Sequence, residues 1–110
     1  MPDTPVLDTL ADITAVSVAR GTLEAREHVL SRLAALVAVD APAASYLLNF
    51  GSAADVGVTT DDVQGVLIAV APVVGTARVM SAAGNITKAL GFVIAVAEAE
   101  LEAELAAEAD

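Results

Sequence analysis

The chain has 110 residues, 56% of them hydrophobic but only 3% aromatic, and its 15 acidic and five basic side chains give a formal charge of −10. That length fits one domain, residues 1–110, and the charge opposes binding to nucleic acid or to anionic lipid. With no cysteine there is no thiolate chemistry, and the single His28 cannot build a multi-histidine centre, so neither a metal nor a cofactor is expected.

From the amino end, Thr4-Pro5 has the form of an N-cap followed by proline at the first helical position. Val6, Leu7, Leu10 and Ile13 then make a helical stripe, extended by Val16 and Val18, with Gly21 as the stop. Thr22 is placed to cap a second helix over Leu23–Val39. In it Leu30, Leu33, Ala34, Leu36 and Val37 are apolar, while Arg26, Glu27 and Arg32 mark the wetter side. Glu24 and His28, one turn apart, read as an ordinary surface pair. Asp40-Ala41-Pro42 starts a third helix, since aspartate caps well and proline is tolerated in a first turn. Ala43, Ala44, Leu47, Leu48 and Phe50 follow, with Gly51 a mild weak point and Gly57 the close.

Asp61–Gly91 holds two helix-length apolar segments joined at Gly75-Thr76. Thr59 and Asp62 have capping-box spacing, with aspartate in place of the usual glutamate or glutamine. Val63, Val66, Leu67, Ile68, Val70 and Val73 cover nearly the whole circumference, the pattern of a buried helix. Thr76 is read as a fresh N-cap. The stripe after it is Val79, Ala83, Ile86 and Leu90, with Met80 as core filler and Ala82, Gly84 and Ala89 small enough for a close neighbour. The acidic tail, about residues 97–110, has helix-forming composition. Glu98 and Glu102 repel one turn apart, and Glu108 and Asp110 face the negative end of the dipole, which predicts fraying unless a neighbour holds the tail.

No period-2 pattern and no repeat interrupts this reading: the expected fold is all-α, with five to six helices. Charged residues break every apolar run short of the roughly 20 residues a span requires, and the acidic amino end lacks a signal-peptide form. A chain this short has little interior for so much Ala, Val and Leu. The expectation is therefore a cytoplasmic homo-oligomer, with the Asp61–Gly91 helices in the contact.

The order Gly57-Val58-Thr59, acids at 61 and 62, then VLIAVAPVVGTARVMSAA resembles the carboxymuconolactone decarboxylase-like family, which includes the alkylhydroperoxidase D proteins; the similarity runs from about Leu23 to Leu90. The resemblance implies that family's helical fold and a trimer or hexamer. In the redox branch the helix before the Gly-Val-Thr turn carries a C-x-x-C-x-x-x-H motif, because a histidine one turn from a thiol assists thiolate formation. Its positions fall here on Pro42, Ser45 and Asn49, and the upstream glutamate falls near Leu30, with Glu27 the nearest carboxylate. None of those residues can do the work of the motif, so neither peroxidase nor disulfide-reductase activity is expected. The lactone decarboxylases keep a histidine on this helix, where this chain has Asn49, or Leu48 with a shift of one. Asparagine does not exchange a proton near neutrality.

The polar set left in apolar surroundings is Ser45, Tyr46, Asn49 and Arg78, candidates for binding a small apolar or acidic ligand. Arg78 has the geometry to clamp a carboxylate through two parallel hydrogen bonds. Each also has a structural role open to it: Arg78 paired with an acid across a subunit boundary, Tyr46 in the core, Asn49 capping a carbonyl. Two functions follow. One is a non-redox binding or scaffold oligomer. The other is a lyase acting on a carboxylated lactone, with Arg78 holding the carboxylate and His28, Tyr46 or a water handling the proton. A cavity containing Arg78 and His28 together would favour the lyase.

Overall fold

A computed structural model describes residues 3–50 and 56–109, and in it five helices follow one another: α1 (Pro5–Arg20), α2 (Ala25–Ala38), α3 (Ala43–Phe50), α4 (Thr60–Val74) and α5 (Thr76–Ala109). No strand occurs among the described residues, so the chain is all-α there. The expected weak point at Gly51 lies outside them.

Each junction has its own chemistry. Pro5 opens α1 where its missing N–H costs nothing, but the Thr4 hydroxyl donates to the Asp8 carboxylate at 3.1 Å instead of capping a backbone amide. Gly21 ends α1 in extended backbone, φ −71°. It carries the chain off the helix axis, so α2 starts with Glu24 at its N-cap position and not with Thr22 as expected. The α2–α3 connection is also a correction. Asp40 does not cap α3; it sits at φ 55°, the left-handed position that aspartate tolerates better than most residues. Its N–H reaches the Val37 carbonyl at 3.2 Å and the Ala41 N–H reaches that of Leu36 at 3.0 Å. These two bonds make a Schellman motif that closes α2.

The α4 start is as the spacing predicts. The Asp62 N–H donates to the Thr59 hydroxyl at 3.2 Å, and the Thr59 N–H donates to the Asp62 carboxylate at 2.9 Å. At its other end Gly75 takes φ 88°, open to glycine without strain. α5 begins directly afterwards with Thr76 as a helical residue, not as a cap. It continues for 34 residues. The acidic tail is thus one helix with the preceding stretch: residues 98–108 are exposed yet helical through their Ala, Leu and Glu content, propagated from an existing nucleus. The expected fraying is not seen.

The core joins α2–α4 to the first half of α5. Leu33, Val37, Ala41, Tyr46, Ala82, Ile86 and Ala89 are its buried members, ringed by Leu36, Leu47, Val63, Val66, Leu67, Val70, Val74 and Leu90. On α5 the buried line is Ala82-Ile86-Ala89, one position round from the predicted stripe. The small Ala82 and Ala89 sit in the contact, whereas Gly84 faces open space and Met80 is exposed. Two side-chain links fasten α5 to the end of α2: Arg78 Nη1 donates to the Ala38 carbonyl, and Ser81 Oγ donates to the Asp40 carboxylate at 2.6 Å.

The expected burial of α4 fails in the single chain. No α4 residue is fully buried, and Ile68 and Val73 are 74% and 85% exposed. The apolar side of α1 (Val6, Leu7, Leu10, Ile13 and Val18) is also largely exposed. The longest axis is 55 Å and the radius of gyration 16.3 Å, against about 13 Å for a compact domain of this length. No described helix is long and apolar enough to cross a membrane.

Candidate functional site

One cavity is bordered by α1, α2 and the end of α3. Its volume is about 430 Å³, within the range of small-molecule sites. Thr14 and Val18 come from α1, Leu23 from the connection, Ala25, His28, Val29 and Arg32 from α2, Leu48 and Asn49 from α3, and Val56 from beyond it. His28 and Arg32 are four residues apart, hence one turn apart on the same face of α2. A second hollow of about 230 Å³, lined by Ser17, Leu23 and Ser31, shares both of them.

His28 is therefore no surface partner of Glu24. It is half-buried between α1 and α3, with the Gly21 turn packed against its ring: a Cβ on Gly21 would stand 3.4 Å from Nδ1 and Cε1, and 3.0 Å from the Ser17 carbonyl oxygen. Arg32, expected on the wetter side, is likewise half-buried. Its Nη2 donates to the Thr14 carbonyl over 3.4 Å, a long bond from guanidinium to α1. Among the described residues no carboxylate lines the cavity and none pairs with Arg32. By contrast Arg26, at the outer end of α2, is neutralised by Asp62 at 2.6 Å.

Of the ligand-binding candidates Ser45, Tyr46, Asn49 and Arg78 only Asn49 lines this cavity, together with His28, which the lyase reading had offered for the proton. Its Nδ2 donates to the Ser45 carbonyl one turn back at 2.8 Å. Ser45 is half-buried on the same helix without lining the cavity. Tyr46 is a core residue, 0% exposed. Burial, reinforced by the Asp40 carboxylate, pushes its phenol above the ordinary value, so it stays protonated and is no base. Arg78 is exposed and bonded to the last turn of α2, away from Asn49 and His28. The set Ser45, Tyr46, Asn49 and Arg78 thus does not converge. His28 and Arg32 take the place of Arg78 beside Asn49.

The i, i+4 spacing of His28 and Arg32 was the available signal. It was masked by the equally regular spacing of Glu24 and His28. Among the described residues no three of His, Asp or Glu come together as a metal-binding group. Compared with protein-family models, curated proteins and solved structures, the chain matches none.

Proposed function

We propose that the chain is a cysteine-less, non-redox relative of the carboxymuconolactone decarboxylase-like proteins, working in the cytoplasm as a homo-oligomer that binds a small molecule. One observation carries the binding function: a cavity of about 430 Å³ with mainly aliphatic walls and four polar side chains, Thr14, His28, Arg32 and Asn49, in its lining. That is the usual make-up of a small-molecule site. The ordered Gly57-Val58-Thr59 turn, the Thr59–Asp62 capping box and the paired α4 and α5 helices support the family reading.

Surface area supports the assembly. The chain exposes 7682 Å², whereas a folded monomer of its mass exposes about 5,600 Å². The excess, on the order of 2,000 Å² per chain, is more than one subunit contributes to a standard interface, about 800 Å². It lies with the exposed apolar residues of α1, Ile68 and Val73 of α4, and Met80, Ile94, Leu101 and Leu105 of α5. That amount suits an obligate dimer as well as a larger assembly; the trimer or hexamer comes from the family reading alone.

The binding test is titration with an environment-sensitive anilinonaphthalene sulfonate dye, on wild type and on Val29→Trp, which fills the cavity. Saturable binding lost in the filled variant is the expected result; identical titrations would refute the site. Light scattering that gives a stable 11.0 kDa species at micromolar concentration would refute the assembly.

A second reading, a carboxy-lyase acting on a carboxylated lactone, draws on the presence of His28 in the cavity, since imidazole exchanges protons near neutrality. Against it stands Arg78, which lies outside. Carbon dioxide release from such lactones, abolished by His28→Gln in a still-assembled protein, would replace the binding role with this one.

A further inference from the structure

We infer that the cavity between α1, α2 and α3 is selective for an amphiphilic monocarboxylate, held by Arg32 at its charged end and by the aliphatic wall along its chain; this rests on the binding function proposed above. The chain carries 15 acidic side chains against five basic ones. Among the described residues Arg26 is paired with a carboxylate, Asp62, and like Arg20, Arg78 and Lys88 it is exposed. Arg32 differs from all four in being half-buried. Its hydrogen bond runs to the Thr14 carbonyl at 3.4 Å, and no acid is among the described residues that line either hollow it borders. A partly desolvated cation without a counter-charge is unfavourable unless an anion completes it.

The surroundings specify which kind of anion. Guanidinium presents paired N–H donors that match the two oxygens of a carboxylate. The His28 ring is one turn away, and Ser17 and Ser31 border the smaller hollow that shares these two side chains. Val18, Leu23, Val29, Leu48 and Val56 supply the remainder of the main cavity. They have no polar atoms to satisfy a sugar, a nucleobase or a second charge. A compact polyanion would leave that wall unfilled, and a neutral alkane would leave Arg32 unpaired. A single carboxylate on an aliphatic chain satisfies both parts.

The experiment is displacement of the anilinonaphthalene sulfonate dye from the intact protein by octanoate, octanol and octylamine, matched in chain length. In wild type octanoate should displace the dye at a concentration at least tenfold lower than octanol, with octylamine weakest. Arg32→Met should remove that advantage while leaving octanol unchanged. Arg32→Lys, which keeps the charge, should retain part of it and guards against a folding defect in the methionine variant. Arg78→Met, outside the cavity, should retain all of it. Equal displacement by octanoate and octanol in wild type would overturn carboxylate selection yet leave the binding site standing. An octanoate advantage that survives Arg32→Met would overturn the role of Arg32. Failure of the dye and all three probes to bind would remove the binding function and this inference with it.

Discussion

Tyr46 offers a direct test of the core, because it is the only tyrosine in a chain without tryptophan. It is 0% exposed and belongs to the buried cluster with Leu33, Val37, Ile86 and the alanines of α5. Truncating a buried aromatic to alanine typically costs ~3–5 kcal/mol, against a total stability of about 5–15 kcal/mol for a domain. Tyr46→Ala should therefore bring the urea midpoint sharply down. The phenol adds a dependence on pH. An unfolded tyrosine ionises near ~10; burial first, and the Asp40 carboxylate second, raise the folded value above that. Between the two values the folded state holds the extra proton. The stabilisation is complete below the unfolded value and declines as pH rises through that window, by at most about 1.4 kcal/mol per pH unit. Tyr46→Phe should lack this decline, and whatever alkaline loss it keeps belongs to other groups. The measurements are phenolate absorbance and helical circular dichroism followed together from pH 8 to 12. Phenolate forming near pH 10 in a fully helical protein would refute the burial of Tyr46 and the packing built around it.

Thr59→Ala removes the hydroxyl half of the α4 capping box and should cost ~1 kcal/mol in chemical denaturation; no change would mean that the box is not formed. The Asp62 carboxyl, held below the ordinary aspartate range first by the Thr59 N–H and also by Arg26, lends stability that is present above that range and lost as pH falls through its lowered folded value. A side-chain carbon titration of Asp62 should accordingly show a midpoint below that of the other aspartates. Ile13→Ser on the exposed face of α1 should change the stability of a single chain by no more than about 0.5 kcal/mol but lower the assembled mass in light scattering, and an unaltered mass would place the interface elsewhere. Glu102→Lys turns a like-charge pair with Glu98 into a favourable one worth ~0.5 kcal/mol, so the α-carbon shifts of residues 98–108 should move further towards helix.

Local chemistry was the readable part of this fold. Thr59 with Asp62, Pro5 at a helix start and Gly75 at a helix end each involve residues a few positions apart, and the structure holds them as their spacing predicts. Asp40 shows the limit of that logic. The same aspartate that caps a following helix can close a preceding one, and the choice fell to the left-handed turn that also presents its carboxylate to Ser81, 41 residues later. Nothing within α2 or α3 announces that partner. Arg78 is a parallel case: its placement in the first turn of α5 was legible, its acceptor on Ala38 was not.

Burial and the site were less legible for a related reason. Periodicity states which residues share a face, but not what covers that face. The apolar circumference of α4 predicted a helix enclosed on all sides, and the single chain encloses only the side of Val63, Val66, Leu67, Val70 and Val74. Ile68 and Val73 stay uncovered; in the oligomer proposed above they would lie in an interface. On α2 the same ambiguity hid the site. His28 and Arg32 looked solvent-facing because charged side chains usually are, whereas the structure half-buries both in a hollow bordered by Thr14 and Val18 of α1, with no acid among its described lining residues. α1 thus has two faces to account for. Its Thr14 and Val18 complete the cavity wall, and its outer apolar side awaits another surface. If a neighbouring chain holds that side, subunit contact and cavity closure act on the same helix, and weakening one at Ile13 should loosen the other.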